Sequence, residues 1–181
     1  MSSADSTARP AKPHRSDPEA PSLDRVEPFR SVGFTLSTIG YAVSRRFSEL
    51  LAPLGMVPRE FALLRAVGAG EGQTQQAIAE QLHIPPSRMV AFVDALEGRG
   101  LLERRLNPSD RRTRALHLTE EGQRLLAQAF AEAVAHERSL CGDLSQDERE
   151  QLLDLLSRVG ASLDLTPGVH SAMGHSDPGL D

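Results

Sequence analysis

The sequence lacks the features that mark secreted, membrane-spanning or disulfide-stabilised proteins. Only one of its 181 residues is a cysteine, so no disulfide can form within the chain. No stretch approaches the roughly 20 consecutive apolar residues that a membrane-spanning helix needs. The N-terminal region has no apolar run of the kind found in a signal peptide. We therefore expect a soluble cytoplasmic protein.

Aromatic residues and catalytic motifs are also scarce. Aromatics make up 4% of the chain, with no tryptophan, so the core must consist mainly of Leu, Val, Ala and Ile. The sequence has no glycine-rich phosphate loop, and its six histidines show no metal-ligand spacing. Cys141, between Leu140 and Gly142, has neither an activating neighbour nor a second cysteine as partner. These absences argue against an enzyme, a metal site, a cofactor and a redox sensor.

Composition divides the chain into one folded unit and two tails. Residues 1–28 contain five prolines and few large apolar residues, a composition typical of disorder. Residues 164–181 form a second predicted disordered tail. The predicted folded unit is residues 29–163.

Within residues 29–163 the apolar spacing is helical, except for one hairpin. Local start signals are Pro58, Thr74, Pro86, Thr119 and the Ser145–Glu148 capping box. Two β-prone runs, 101–106 and 113–118, follow the fourth helix. The predicted fold class is mainly α with a small β-hairpin, a winged helix-turn-helix at about 57–118. The flanking helices are predicted at about 29–52, 119–140 and 145–163.

The fourth helix has one apolar face and one small, mildly polar face. Its apolar residues, from Met89 to Leu96, recur at helical spacing. The opposite face is small enough to lie in a DNA major groove, with the N-terminal residues nearest the bases. An ordinary amphipathic helix is the alternative interpretation. The candidate DNA contacts on this helix are Ser87, Arg88, Val90, Ala91, Asp94 and Ala95.

The predicted hairpin concentrates positive charge in an otherwise acidic chain. The net charge is −5, yet residues 104–114 hold five arginines and one aspartate. We expect no equal set of acidic residues nearby, and therefore a hairpin that contacts DNA, with its tip in a minor groove. A solvated charged loop is the alternative. The candidate contacts are Arg105, Asp110, Arg111, Arg112 and Arg114.

Several motifs between residues 73 and 122 occur together at a characteristic separation. These motifs are Ala77–Leu82, Pro86–Ser87, Val93–Leu101, Asn107–Arg112 and Leu118–Gly122. Together they resemble the multiple antibiotic resistance regulator (MarR) family of bacterial transcription factors. The resemblance implies a homodimer, joined through the first, fifth and sixth helices, on a pseudo-palindromic site in double-stranded DNA.

Residues in and before the fourth helix depart from the family pattern or bear on its contact with DNA. Ala91 and Ala95 stand where the family often has a polar or basic residue, so fewer direct base contacts are expected. Pro85 replaces the usual acidic residue that caps the recognition helix. Asp94 lies on the outward face, where it would repel phosphate unless an arginine pairs with it.

The resemblance also implies a small aromatic or phenolic effector. Its pocket is expected where the first, second and fifth helices meet the winged region, with candidates Tyr41, Arg45, Phe61 and Arg65. The family's urate-responsive branch relies on a tryptophan that this chain lacks. We expect a repressor that the effector releases from DNA. A ligand-independent or activating regulator, or a winged-helix protein-interaction module without a DNA target, remains the alternative.

Overall fold

The computed structural model describes residues 31–70, 72–107 and 113–166. The chain divides into two units, residues 1–41 and 42–181. The predicted class, mainly helical with one hairpin, is confirmed. In chain order the elements are α1 (Val32–Leu51), a short 3-10 helix (Ala52–Leu54), α2 (Pro58–Ala69), α3 (Gln75–Gln81), α4 (Pro86–Gly98), β1 (Leu102–Leu106), β2 (Arg114–Leu118), α5 (Glu120–Leu140) and α6 (Gln146–Ala161).

The first unit contributes the N-terminal part of α1 to the described residues. Four of its large apolar side chains are more than half exposed, so this segment presents an apolar surface. The predicted tail at residues 1–28 and most of the tail predicted at 164–181 lie outside the described residues. The exposed side chains are Val32, Phe34, Ile39 and Tyr41.

In the second unit, α2 begins where the sequence predicts it. Pro58 is the first residue of the helix, a position that needs no amide hydrogen. The carboxylate of Glu60 accepts a hydrogen bond from the amide of Val57 at 3.2 Å, which satisfies a free donor at the helix start. One face of α2 is completely covered by the core, through Leu64 and Val67 among others.

A tight turn joins α3 to α4. Thr74 caps α3, since its hydroxyl oxygen accepts a hydrogen bond from the amide of Ala77 at 3.2 Å. His83 adopts the left-handed conformation with φ of 55°, and the amide of Ile84 then donates to Ala79 at 2.9 Å. No side chain caps α4, whose entry is set by Pro85 and Pro86. The α3–turn–α4 arrangement is therefore the predicted helix-turn-helix.

The hairpin packs on the helices through one side of its strands. Leu102 pairs with Leu118 and Arg104 with Leu116, and all three leucines are buried. The amide of Leu116 also donates to the carbonyl of Gln73 at 2.9 Å, so the segment before α3 pairs with β2. The hairpin is thus held on the α2–α3–α4 core by backbone bonds as well as by apolar packing.

Helices α5 and α6 leave apolar side chains uncovered by the described chain. Ser145 and Glu148 form the predicted capping box, and the bonds from Ser145 hold the pKa of Glu148 below its ordinary value. No residue of α6 is buried. Phe130 on α5 is 53% exposed, and four leucines of α6 are between 40% and 61% exposed. These leucines are Leu152, Leu153, Leu155 and Leu156.

Gly122 marks the contact between the start of α5 and the segment leading into the hairpin. A Cβ atom at Gly122 would overlap the carbonyl oxygen of Leu101. We predict that Gly122→Ala lowers the free energy of unfolding by about 1–3 kcal/mol, because the backbone of α5 or that of Leu101 must shift to make room. Thermal unfolding with circular dichroism measures this loss.

Gly98→Ala is the matched control for this prediction. Gly98 lies at the end of α4 with no neighbouring atom within 4 Å of the added carbon. Alanine has the better helix propensity, so unchanged or higher stability is expected. Equal melting temperatures for the two variants would contradict the close contact at Gly122.

Candidate nucleic-acid interface

Helix α4 presents the two faces that the sequence predicts. Met89, Val93 and Leu96 are completely buried, and this packing fixes the rotation of the helix about its axis. The opposite side therefore faces outward, and Val90 on it is 45% exposed. Of the other residues predicted on that side, Arg88 is half-buried and the rest, Ser87, Ala91, Asp94 and Ala95, are exposed.

The C-terminal end of α4 is tied to the start of α2. The guanidinium of Arg99 donates to a carboxylate oxygen of Glu60 and to the carbonyl of Gly55, each at 2.8 Å. Gly55 has a φ of 61°, a conformation that costs little without a side chain. Near the middle of α4, the guanidinium of Arg59 lies over the ring of Phe92 at 5.7 Å. These contacts hold the outward face of α4 in one orientation.

Arg104 of β1 pairs with two carboxylates of α4. Its guanidinium donates to Asp94 at 2.5 Å and to Glu97, and its amide also donates to Glu97 at 3.3 Å. The same guanidinium reaches the side-chain oxygen of Gln75 on α3 at 3.3 Å. Two acids of α4 thus lie beside one of the five arginines, and Asp94 has the arginine partner that it needs if it is not to repel phosphate. Both acids lie on the helix directly before β1, seven and ten residues before Arg104.

The other arginines of the hairpin differ in their surroundings. Arg105 pairs with Glu103 at 2.5 Å on the same strand, so its charge is also partly neutralised. Arg114 is exposed and makes no ion pair with any residue that the structure describes. Across the hairpin, the amide of Asn107 donates to the carbonyl of Thr113 at 3.1 Å and closes the strands. The candidates at the tip, Asp110, Arg111 and Arg112, lie outside the described residues.

The four candidate effector-pocket residues have different environments. Phe61 is half-buried, and its ring meets that of Phe47 edge to face at 5.5 Å. Arg45 is exposed and forms a surface ion pair with Glu49 at 3.6 Å. Arg65 is exposed on α2, and Tyr41, which belongs to the first unit, is 69% exposed. The structure thus places one of the four, Phe61, in an aromatic cluster of the second unit.

The other two members of that aromatic cluster, Phe47 and His136, were not among the predicted pocket residues. The ring of His136 on α5 stacks on Phe47 at 5.9 Å and is only 7% exposed. Neither ring nitrogen of His136 has a hydrogen-bond partner among the described residues. His136 continues the buried face of α5 from Ala129 at helical spacing, and this periodicity could have identified it.

Comparison with known proteins decides the family of this chain. A family model described as MarR family matches residues 54–113. The regulator PecS of Dickeya dadantii, described as an HTH-type transcriptional regulator, is 34% identical over 144 residues, 78% of this chain and 86% of PecS. The chain belongs to the MarR family.

Solved structures agree with this assignment. The transcriptional repressor CouR, solved on a 23-mer DNA duplex, superposes with a TM-score of 0.64 and 37% identity, covering 72% of this chain and 92% of that one. CouR from Rhodococcus jostii RHA1 with p-coumaroyl-CoA gives a TM-score of 0.63 and 34% identity, with the same coverage. The chain is therefore a winged-helix transcriptional regulator of the MarR family.

The single cysteine of this MarR-family chain lies at the end of α5 and has a poorly activated thiol. Desolvation and the neighbouring carboxylate of Glu137 raise the pKa of Cys141, whereas Arg149 lowers it. The thiol sulfur lies 3.6 Å from that carboxylate. Reactive sensor thiols need the opposite shift, so the surroundings of Cys141 favour an inert thiol. Across the described ranges, no helix is long and apolar enough to cross a membrane.

The unpartnered imidazole predicts an unusual response to substitution. His136→Phe keeps a ring stacked on Phe47 and removes two desolvated nitrogens, so we expect stability unchanged or raised by up to about 2 kcal/mol. Chemical denaturation measures the difference. Phe47→Ala is the control, and loss of its ring should cost about 2–4 kcal/mol. A clear loss of stability in His136→Phe would show that the folded protein supplies a partner for the imidazole.

Proposed function

We propose that the chain is a homodimeric repressor that binds double-stranded DNA through α4 and the hairpin and is released by a small aromatic effector. The observation that carries the proposal is the outward face of α4, which is small and exposed beside an arginine-bearing hairpin. Side chains as short as Ser87 and Ala91 allow the helix backbone to approach base edges. Arg88, at the N-terminal end of α4, is the candidate for a direct base contact.

The charge distribution supports DNA as the partner. The chain carries a net charge of −5, so nonspecific attraction to a polyanion is weak. Arg114, exposed on β2, and the tip residues Arg111 and Arg112 supply a local positive region that can neutralise phosphates. A focused positive region on an acidic protein suits a defined binding register, since other surfaces repel the duplex. The relative CouR was solved on a DNA duplex, which supports the same partner here.

The uncovered apolar faces of α1, α5 and α6 support a homodimer. Four residues of α6 and Leu163 just after it fall on one stripe at helical spacing, and α6 has no buried residue. A second copy of the chain would cover such stripes and bring two copies of α4 to one duplex. We propose helices at about 29–52, 119–140 and 145–163 as the dimerisation helices. The stripe consists of Leu152, Leu155, Leu156, Val159 and Leu163.

An effector would act by favouring a spacing of the two α4 helices that does not match DNA. A ligand that binds both states equally shifts nothing, so it must bind the DNA-incompatible state more tightly. The aromatic cluster of Phe47, Phe61 and His136 joins α1, α2 and α5, which is where a bound aromatic group could stack. The relative CouR was solved with p-coumaroyl-CoA, an aromatic thioester, which supports an effector of this class.

A gel-shift titration tests the proposed function. The probe is the DNA upstream of the protein's own gene, and scrambled DNA of equal length is the control. We expect a discrete complex at nanomolar protein, at least about 1000-fold tighter than on scrambled DNA. Adding p-coumaroyl-CoA or a panel of aromatic acids should release the probe. Equal binding to both DNAs would contradict a sequence-specific regulator.

Arg112 is predicted to contact phosphate at the tip of the hairpin. Arg112→Ala should weaken binding broadly across sequences and lower the slope of log affinity against log salt by about 0.9. Fluorescence anisotropy at several salt concentrations measures this slope. Arg158→Ala is the control, since Arg158 lies on α6 and is 73% exposed beside Asp154. An unchanged slope for Arg112→Ala would remove the tip from the DNA contacts.

Leu156→Glu tests the dimer through the stripe of α6. The buried carboxylates of two copies would repel, so the dimer should dissociate at least about 100-fold more readily. Light scattering at micromolar protein measures the mass. Ser157→Glu places the same charge off the stripe on an exposed position and should leave the dimer intact. A dimer in both variants would contradict the role of this face.

A further inference from the structure

We infer that Arg104 is a positioning residue, which neutralises the carboxylates of α4 and ties the hairpin to that helix so that both can engage DNA. The inference rests on the proposed DNA binding and assigns within it a role to Arg104, Asp94, Glu97 and Gln75, the Arg104 cluster. In this cluster one guanidinium connects β1, α3 and α4.

Arg104 is more buried than an arginine that contacts phosphate would be. Its side chain is only 19% exposed, whereas that of Asp94 is 59% exposed. Its guanidinium donates to Asp94 and Glu97 on α4 and to Gln75 on α3. The guanidinium is thus directed toward the helices and largely covered, while the carboxylate of Asp94 is the group that faces outward.

The acids explain why the guanidinium is needed. Asp94 and Glu97 lie three residues apart on α4, so their carboxylates are close neighbours. On a helix that approaches DNA, two unpaired carboxylates would repel the phosphates and each other. Arg104 places a positive charge between them, at 2.5 Å from Asp94. The local repulsion is thereby reduced without any contact between Arg104 and DNA.

The same contacts hold the hairpin in place. Arg104 lies opposite the buried Leu116 in the hairpin, and its amide also donates to Glu97 at 3.3 Å. Both its backbone and its side chain therefore join β1 to α4. A hairpin tied in this way presents Arg114 at a fixed distance from the outward face of α4.

Charge rescue tests whether Arg104 neutralises the carboxylates of α4 or contacts phosphate itself. Arg104→Met should weaken operator binding at least about tenfold, because two carboxylates become uncompensated. Adding Asp94→Asn restores the wild-type net charge and should recover most of that loss. The double variant should also keep the wild-type salt slope, because no phosphate contact has been removed.

Arg114→Met is the matched control, from the other strand of the same hairpin. We expect it to lower the salt slope by about 0.9, with no rescue by Asp94→Asn. If Arg104→Met behaves in this way, Arg104 is a phosphate contact and the inference is overturned. Failure of the wild-type protein to bind operator DNA would instead overturn the proposed function. Because the wild type is measured in the same experiment, the two failures can be told apart.

Hydrogen exchange tests the contact of Arg104 between the hairpin and α4 in the absence of DNA. Arg104→Met should speed amide exchange in β1 and β2 by at least about tenfold, with α5 unchanged. Arg114→Met, which breaks no ion pair that the structure describes, should leave the exchange rates of both strands as in the wild type. Unchanged exchange in Arg104→Met would overturn the tie between hairpin and helix, whatever the DNA results.

Discussion

The burial of one face of α4 is the constraint on which the rest of the structure depends. Met89, Val93 and Leu96 pack into the same core as α2, α3 and the hairpin, and this fixes which residues point outward. Rotating α4 by one residue, or about 100°, would expose this face and bury Asp94 without a partner, at a cost of several kcal/mol. The composition of the exposed face is therefore a consequence of packing.

The fold neutralises part of the positive charge that the sequence places in the winged region. A dense run of arginines looks like an undivided positive surface, yet the fold divides it into arginines that pair with protein carboxylates and arginines that remain available. Arg104 and Arg105 belong to the first group and Arg114 to the second. Arg104 ties the hairpin to α4, while the available arginines are the ones that we propose contact DNA. Counting charges in sequence overstates the DNA-facing charge for this reason.

Local sequence signals predicted the fold well. The candidate site was predicted less well, because it depends on contacts between different helices and strands. Thr74, Thr119 and Ser145 were identified as helix caps because a cap involves residues three positions apart. The pairing of Arg104 with Asp94 joins residues from different elements, so no local pattern reveals it. Likewise, the burial of His136 depends on the packing of α5 against Phe47 of α1. The helical spacing showed which faces are apolar, and the fold determines which of them are covered.

The central claim is that two copies of α4, each with its hairpin, engage one duplex together. Hydroxyl-radical footprinting of the purified protein on its operator tests this most directly. The account predicts two protected segments whose centres lie one helical turn apart, about 34–36 Å, with flanking minor-groove protection from the hairpins. A single protected segment, or none at concentrations that shift the probe, would contradict it.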